Sequence, residues 1–330
     1  MDYRITATLG PASDHAEVWR RLLSVGCGAF RINTSHLTMS ELEELLGRLH
    51  RFLQNPPCVV PVILDLQASK WRLGEFPACR LTAGQQVDLL LADHAEGPCL
   101  LPVPHEDFFR AAMAGSGGDL FLNDAKIRIA IKSAAGERVR GRVLTGGEIS
   151  RRKGISLPGA TIRIERLSDR DEQIVRNTAG IPHLGYALSF VKDAQEMATY
   201  RSLLGGRTYL IAKLERPSAL DEAAEIAQSV DALWLCRGDL GAEAGLQTMA
   251  SLVAQFNTRV TTLTKPVHLA GQVLEHTTHH PQPTRSEVCH LHDMLKNGYQ
   301  GIVLSDETAV GRYPVESCRT AAMFREPAAV

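Results

Sequence analysis

Charged residues gather where an apolar run ends in the segment LWLCRGDLGAEAG, residues 233–245. The run LWLC is apolar enough for a buried strand, and Arg237, Gly238 and Asp239 follow it at once. Glycine lets the backbone approach a ligand closely, and a helix that begins at this point would offer unpaired N–H groups to an anion. We therefore predict that this strand end supplies a metal-binding carboxylate, Asp239, and a substrate-binding turn at Gly238 and Asp239.

Polar residues follow other apolar runs in the same way. The further candidates at these positions are Arg31, Asn33, Ser35, His36, Asp65, Lys70, Arg72, Lys213, Glu215, Gly271 and Gln272. The alternation of an extended strand puts Lys213 and Glu215 on the same side, where a buried ammonium needs a charged partner. The carboxylates of Glu215 and Asp239 suit Mg²⁺ or Mn²⁺. Arg31, Arg72 and Lys213 would bring positive charge to a phosphoryl group.

These strand ends meet if the runs form one parallel sheet. Strand patterns cover residues 5–10, 27–32, 59–66, 186–191, 208–214, 232–236, 266–270 and 301–305, and helical patterns cover 14–25, 39–54, 168–179, 193–204, 217–228, 246–260, 284–297 and 315–325. Because strands alternate with helices, we predict an α/β fold with a closed (β/α)₈ barrel, whose active site lies at the C-terminal ends of the strands. A doubly wound sheet is the alternative, but no GxGxxG motif follows the first strand.

The alternation of strand and helix stops between residues 73 and 156, where short strand patterns are separated by glycines and charges. We predict a small β-rich lid domain, 73–156, inserted after the third barrel strand. The barrel would then comprise residues 1–72 and 157–330.

The composition excludes several classes of partner. Lys and Arg number 36 against 37 Asp and Glu, so no global charge favours nucleic acid or an anionic membrane. No apolar stretch approaches the roughly 20 residues that cross a bilayer, and the N-terminus has no signal-peptide pattern. The seven cysteines are scattered without a CxxC pair. We therefore expect a cytoplasmic protein.

The sequence resembles the pyruvate kinase family along its whole length. The matching stretches, in the family's order, are ATLGPAS (7–13), FRINTSH (30–36), LDLQASKWRLG (64–74), RRKGISLPGA (151–160), ALSFVKDAQE (187–196), IAKLERP (211–217), CRGDLGAE (236–243), KPVHLAGQVLE (265–275), PQPTRSEV (281–288) and VLSDETAVGRYPVE (303–316). The resemblance implies a barrel, a mobile β-domain lid and a C-terminal regulatory domain. Because the sequence ends with the barrel pattern, we expect that regulatory domain to be absent.

The resemblance also implies a role for each matching residue. Lys213 corresponds to the lysine that neutralises the phosphoryl group in transit, and Arg31 lies near the transferred phosphate. Glu215 and Asp239 correspond to the divalent-metal ligands. The remaining matches are the monovalent-cation site at Asn33, Ser35 and Asp65, and the nucleotide-contacting segments that contain His36, Arg72 and Lys153. The implied cofactors are Mg²⁺ or Mn²⁺ and ATP or ADP.

Two departures from the family pattern bear on activity. Gly271 stands where the family has a threonine that serves in proton delivery to the enolate of pyruvate. This leaves two interpretations: a slow but ordinary pyruvate kinase, or a wider pocket at Gly271 and Gln272, which either binds something other than pyruvate or serves a reaction in which the enolate is not protonated. Lys70 stands where potassium-dependent relatives carry Glu, and a fixed ammonium replaces a bound monovalent cation electrostatically. We therefore predict that K⁺ is not required.

Other departures concern the supporting structure. Ala68 and Ser69 replace the Gly-Pro of the family's lid hinge, and Asp306 replaces the glycine of LSGET. His290 and Asp293 stand where Asp and Asn are usual, so subunit or loop contacts there differ. A homo-oligomer is possible, but the sequence leaves the oligomeric state open.

Three functions remain open from the sequence. The first is a phosphotransferase acting between a nucleotide and the enolate of pyruvate or a related 2-oxo acid, with the enol phosphate as the other substrate. The second is a metal-dependent lyase, an aldolase or decarboxylase, that acts through a 2-oxo acid enolate. The third is a non-catalytic metabolite-binding homologue, against which the retention of Lys213, Glu215 and Asp239 argues.

Overall fold

The computed structural model describes residues 1–54, 60–97, 100–115, 118–123, 125–160 and 162–325. Its central feature is a closed barrel of eight strands that pair in parallel. In chain order these strands are Arg4–Leu9, Ala29–Asn33, Val62–Leu66, Leu184–Leu188, Tyr209–Leu214, Ala232–Cys236, Val267–Ala270 and Gly301–Leu304. The predicted (β/α)₈ barrel is confirmed, with each strand within a few residues of its predicted bounds; residue 59 of the third predicted strand lies outside the described residues.

Helices follow the strands around the barrel. Their bounds are Ala16–Ser24, Met39–Leu53, Asp169–Thr178, Ala194–Leu204, Pro217–Asp221, Ala223–Ile226, Arg237–Ala244, Leu246–Asn257, Arg285–Lys296, Asp306–Ala309 and Pro314–Ala321. The helix predicted over 217–228 is wrong as a continuous element, because Glu222 leaves helical geometry at φ −94° and ψ 18°. The sequence patterns also did not assign Arg237–Ala244, which begins at the residue after the sixth strand.

The barrel interior is apolar in its middle and polar at the ends of the strands. The interior residues are Ile63, Ala187, Ile211, Ala232, Trp234, Cys236, Ala270 and Val303. Asp65, Ser189 and Lys213 each lie two residues after one of these positions, on the same side of the same chain segment. The apolar residues therefore fix the direction in which the polar residues point.

The inserted segment forms its own sheets and core. A six-stranded sheet contains Gln86–Leu90, Leu100–Pro102, Asp119–Leu122, Ile127–Ala135, Arg138–Thr145 and Ile155–Ser156, and a two-stranded sheet pairs Cys79–Leu81 with Gly147–Ile149. The helix Glu106–Ala114 buries Phe108 and Phe109, and Trp71 donates from Nε1 to Asp107 at 2.9 Å. The aromatic core of this segment is thus tied to a buried carboxylate.

The chain divides into two compact units. The first unit contains residues 1–67, 168–237 and 251–330, and the second contains 68–167 and 238–250. The second unit includes the predicted insertion, 73–156, and extends beyond it at both ends. Its first residue, Ala68, has a φ of +47°, in the left-handed region that favours glycine. The alanine at this position therefore keeps a glycine-type backbone conformation.

Candidate functional site

The ammonium of Lys213 lies among three oxygen-bearing side chains in the first unit. Its Nζ is 3.1 Å from Oδ1 of Asp65, 3.0 Å from Oε1 of Glu215 and 2.9 Å from Oγ of Ser189. Lys213 is 6% exposed and Glu215 is fully buried. The fifth strand places the lysine because Ile211 lies in the barrel interior, and alternation directs Lys213 to the same side.

Arg31 extends this network to the first and second strands. Its Nε donates to Oδ2 of Asp65 at 2.7 Å, its Nη2 is 2.6 Å from the same oxygen, and its Nη1 donates to Oγ1 of Thr8 at 2.8 Å. The hydroxyl of Thr8 in turn donates to the carbonyl of Leu304 at 2.7 Å. The guanidinium is therefore fixed on both sides, and Asp65 contacts both cations.

The electrostatics of these groups follow from burial and mutual attraction. Burial opposes ionisation of Asp65, but the charges of Lys213 and Arg31 and their hydrogen bonds lower its pKa to about 2. Burial likewise opposes protonation of Lys213, yet the carboxylates of Asp65 and Glu215 raise its pKa well above the ordinary value. The pKa of Arg31 is also raised, since Asp65 outweighs the burial of the guanidinium. The site therefore keeps a carboxylate and two cations charged at neutral pH.

Glu215 is positioned by a strained residue at the end of the fourth strand. Its Oε2 accepts from the backbone N–H of Phe190 at 2.7 Å, and Phe190 has a φ of +61°. A left-handed aromatic residue costs about 1–2 kcal/mol and persists only where its surroundings impose it. The fully buried carboxylate of Glu215 provides an oxygen ligand of the kind that a hard cation such as Mg²⁺ accepts.

Ser189 and Thr8 are part of the site, although they are not among the residues predicted from the sequence. Ser189 Oγ lies 3.2 Å from Asp65 Oδ1 and donates to the carbonyl of Leu66 at 2.8 Å. Alternation along ALS, residues 187–189, was the available sequence indication. Both hydroxyls orient charged partners, so they contribute to the geometry of the site more than to its charge.

The second strand ends in the residues predicted for a monovalent cation and the nucleotide. Asn33 pairs with Asp65 in the sheet register, and its side chain accepts from the N–H of Ser35 at 3.2 Å. Among the residues that the structure describes, the buried Oγ of Ser35 has no hydrogen-bond partner. Ser35 follows the strand that pairs with the strand of the buried Asp65, and its hydroxyl oxygen is suited to bind a cation or a water molecule. His36 is exposed at the end of the same short turn.

The second unit contains the other predicted site residues. The ammonium of Lys70 donates to Oδ1 of Asp239 at 2.6 Å, and both side chains are largely buried. A Cβ added to Gly154 would lie 2.9 Å from Cε of Lys70, so glycine at 154 gives the lysine its space. A Cβ added to Gly238 would meet no heavy atom within 4 Å. The sequence grouped Lys70 with Asn33, Ser35 and Asp65, whereas the ion pair of its ammonium is with Asp239.

Arg72 and Lys153 lie on neighbouring backbone segments of the second unit. Arg72 forms an antiparallel bridge with Gly154, and its Nη1 donates to the carbonyl of Arg152 at 2.8 Å. The N–H of Arg72 donates to Nε2 of His105 at 3.1 Å. Burial lowers the pKa of His105 to about 4, so the imidazole is neutral and accepts this hydrogen bond. Arg72 and Lys153, both predicted to contact the nucleotide, therefore lie on two backbone segments that pair with each other.

The loop after the seventh strand contains Gly271 and Gln272. Their φ values are +83° and +52°, so two successive residues are left-handed. Threonine, which is branched at Cβ, is strongly disfavoured in this conformation. The glycine that departs from the family pattern therefore has a backbone reason in this chain.

Comparisons with known proteins agree on one family. The family model described as pyruvate kinase, barrel domain, matches residues 2–318. The chain is 34% identical to a pyruvate kinase of Agrobacterium vitis over 317 residues, which are 95% of this chain and 65% of that protein. It is 32% identical to a pyruvate kinase of Methylorubrum extorquens, covering 96% of this chain and 66% of that protein. The chain thus spans about two thirds of the length of these curated relatives.

A solved structure gives the same result for the fold. A pyruvate kinase from Cryptosporidium parvum superposes with a TM-score of 0.82 at 22% identity, covering 97% of this chain and 68% of that one. At this identity the likeness concerns the fold alone.

No helix among the described residues is long and apolar enough to cross a membrane.

Proposed function

The chain belongs to the pyruvate kinase family, and from this premise we propose that it catalyses phosphoryl transfer between a nucleotide and the enolate of pyruvate or a related 2-oxo acid. The observation that carries the proposal is the buried ammonium of Lys213 between Asp65 and Glu215. Phosphoryl transfer depends mainly on positioning and on stabilising charge on the transferred group. A buried lysine that remains protonated is suited to that task.

The proposed reaction gives a role to each charged side chain of this network. In the direction of pyruvate formation, the bond between the enol oxygen and phosphorus breaks, phosphorus bonds to the terminal oxygen of ADP, and the enolate takes a proton. We assign Lys213 and Arg31 to the charge of the transferred phosphoryl group. Asp65 acts through both cations, since its contacts hold them in place.

We assign the divalent metal to Glu215 and Asp239. Their carboxylates are the ligand type that Mg²⁺ or Mn²⁺ prefers, and two carboxylates leave positions for substrate oxygens. When bound, the metal would neutralise phosphate and enolate oxygens. The nucleotide is assigned to His36, Arg72 and Lys153, and the carboxylate end of the 2-oxo acid to the segments at Gly238 and Gly271.

The conformation of Gly271 supports the simpler of the two interpretations of this glycine. A left-handed backbone explains the residue without a larger substrate, so pyruvate is the first acceptor to test. The lyase and binding-protein alternatives gain no comparable support. Proton delivery to the enolate then falls to water, because glycine has no side-chain proton.

The test is pyruvate formation from phosphoenolpyruvate and ADP with Mg²⁺, coupled to lactate dehydrogenase. Turnover that disappears with excess chelator and returns with added Mg²⁺ or Mn²⁺ is the expected result. If pyruvate does not form but oxalate binds in the presence of Mg²⁺, the enolate site is retained. Larger 2-oxo acids should then be tested as acceptors with ATP. Absence of both turnover and oxalate binding would overturn the proposal.

Potassium should not activate this reaction. The buried ammonium of Lys70 supplies a fixed positive charge at the position where potassium-dependent relatives carry a glutamate. Activity measured in KCl and in tetramethylammonium chloride at equal ionic strength should agree within about twofold, whereas Lys70→Glu should become less active and gain activation by KCl. Severalfold activation of the unaltered protein by KCl would contradict the prediction.

A further inference from the structure

The loop Gly271–Gln272 needs an external restraint. Gln272 has a side chain and a φ of +52°, which costs about 1–2 kcal/mol relative to ordinary backbone conformations. Since the preceding Gly271 is also left-handed, the two residues together turn the chain sharply after the seventh strand. Glycine and glutamine impose no such turn by themselves, so neighbouring groups must stabilise it.

Arg237 provides hydrogen bonds to both residues of the turn. Its Nε and Nη2 donate to the carbonyl of Gly271 at 3.1 and 2.6 Å, and Nη2 also donates to the carbonyl of Gln272 at 3.0 Å. Cys236 and Ala270 are register partners in the barrel, so Arg237 and Gly271 both follow directly after paired positions. The planar fork of the guanidinium suits two neighbouring acceptors, whereas the three donors of a lysine ammonium lack this fixed planar geometry.

The charge of Arg237 has no carboxylate partner. Among the residues that the structure describes, this arginine forms no ion pair, and its remaining side-chain hydrogen bond joins Nη1 to Nε2 of His290. Burial and the nearby Arg237 lower the pKa of His290, so its imidazole is neutral and accepts at Nε2. All the acceptors of the guanidinium are therefore uncharged.

The other end of the loop is fixed by a buried carboxylate. Glu307 is fully buried, and its Oε1 accepts from the N–H of Leu274 at 3.0 Å while its Oε2 accepts from the N–H of Ser305. Carbonyls at one end of the loop are thus bound by the half-buried guanidinium of Arg237, and an N–H at the other end is bound by the fully buried carboxyl group of Glu307. Loss of either would free a different part of the loop.

We propose that Arg237 is a positioning residue, which sets the conformation of Gly271 and Gln272 and thereby the substrate end of the site, with His290 as the acceptor that orients the guanidinium. The link to substrate rests on the proposed function, but the effect on the loop does not. The departure at His290 becomes part of the same arrangement, because a neutral acceptor leaves the whole charge of Arg237 directed to the turn.

The test compares Arg237→Met and Arg237→Lys with Arg259→Met as the matched control. Arg259 also donates to a backbone carbonyl, that of Leu220 at 2.9 Å, but it lies outside the loop and its contacts. The first readout is hydrogen–deuterium exchange of the amides of residues 271–273. We expect exchange to rise about tenfold or more in Arg237→Met, less in Arg237→Lys, and to stay unchanged in Arg259→Met.

The second readout is kinetic and includes chemical rescue. The ratio kcat/KM for phosphoenolpyruvate should fall roughly 10- to 100-fold in Arg237→Met, mostly through KM, and millimolar guanidinium should restore part of it. Unchanged loop exchange in Arg237→Met, or an equal rise across the whole barrel, would overturn the proposal. If the unaltered chain shows neither turnover nor Mg²⁺-dependent binding of oxalate, the proposed function fails, while the exchange result still decides the role of Arg237.

Discussion

Lys213→Met should lower kcat for pyruvate formation by about 10³-fold while the protein stays folded. The ammonium is 6% exposed and lies between Asp65 and Glu215, so water does not replace its charge. Methionine nearly preserves the length and volume of the side chain but supplies neither charge nor hydrogen bonds. The measurement is the coupled assay at saturating phosphoenolpyruvate, ADP and Mg²⁺.

Lys192→Met is the matched control for this substitution. Lys192 is half exposed and its ammonium forms an ion pair with its neighbour Asp193 at 3.2 Å, so its loss should change kcat by less than about twofold. Circular dichroism and the unfolding midpoint of both variants separate lost chemistry from lost structure. Retention of more than a tenth of the kcat in folded Lys213→Met would show that the lysine does not stabilise the transferred group.

Asp65→Asn should lower the free energy of unfolding by roughly 3–5 kcal/mol. The carboxylate is 3% exposed and bridges Arg31 and Lys213, so removing its charge leaves the buried Lys213 and the largely buried Arg31 with one carboxylate fewer. Urea unfolding followed by tryptophan fluorescence measures the change. Asp88→Asn is the control, since Asp88 also pairs with two arginines but at the surface, and it should cost less than about 1 kcal/mol.

The effect of Asp65 should depend on pH in a defined direction. Its pKa is about 2 in the folded protein, below the ordinary value of 3.8, so its ionised form stabilises the fold fully above that ordinary value. As the pH falls from 3.8 toward 2, roughly 2 kcal/mol of the difference between the unaltered protein and Asp65→Asn should disappear. A difference that stays constant over this range would contradict the assignment of Asp65 as the coupled carboxylate.

Sequence patterns predicted most elements of the barrel, and the pairing of Lys213 with a carboxylate, for a physical reason. Alternation along a strand has a fixed period, so the apolar residue at 211 determines where Lys213 points and where Glu215 lies. The same reasoning, applied to Ala187, would have selected Ser189. The positions of strand ends around a closed barrel follow from topology, and Arg31 and Asp65 meet because their strands are neighbours.

The sequence did not predict which groups Lys70 and Arg237 bind, nor the sign of the backbone angle φ at Gly271. Lys70 has a long flexible side chain in a loop, so its pairing with Asp239 depends on the course of that loop and not on any period. Arg237 binds two carbonyls, and carbonyls carry no residue-specific mark in a sequence. In the sequence, Gly271 stands out by the hydroxyl it lacks, whereas in the structure its φ of +83° favours glycine.

Closure of the barrel has a consequence for how the chain reaches this structure. The first and eighth strands pair through Arg4 and Gly301, which lie at opposite ends of the chain, and Tyr3 donates to the carbonyl of Ala321 at 2.7 Å. Contacts so remote in sequence are entropically costly to form and slow the folding rate. Until the last strand arrives, both partners expose open edges, which are the most aggregation-prone feature of a nascent sheet. Ligands that bind only the closed barrel would therefore raise the yield of refolded protein.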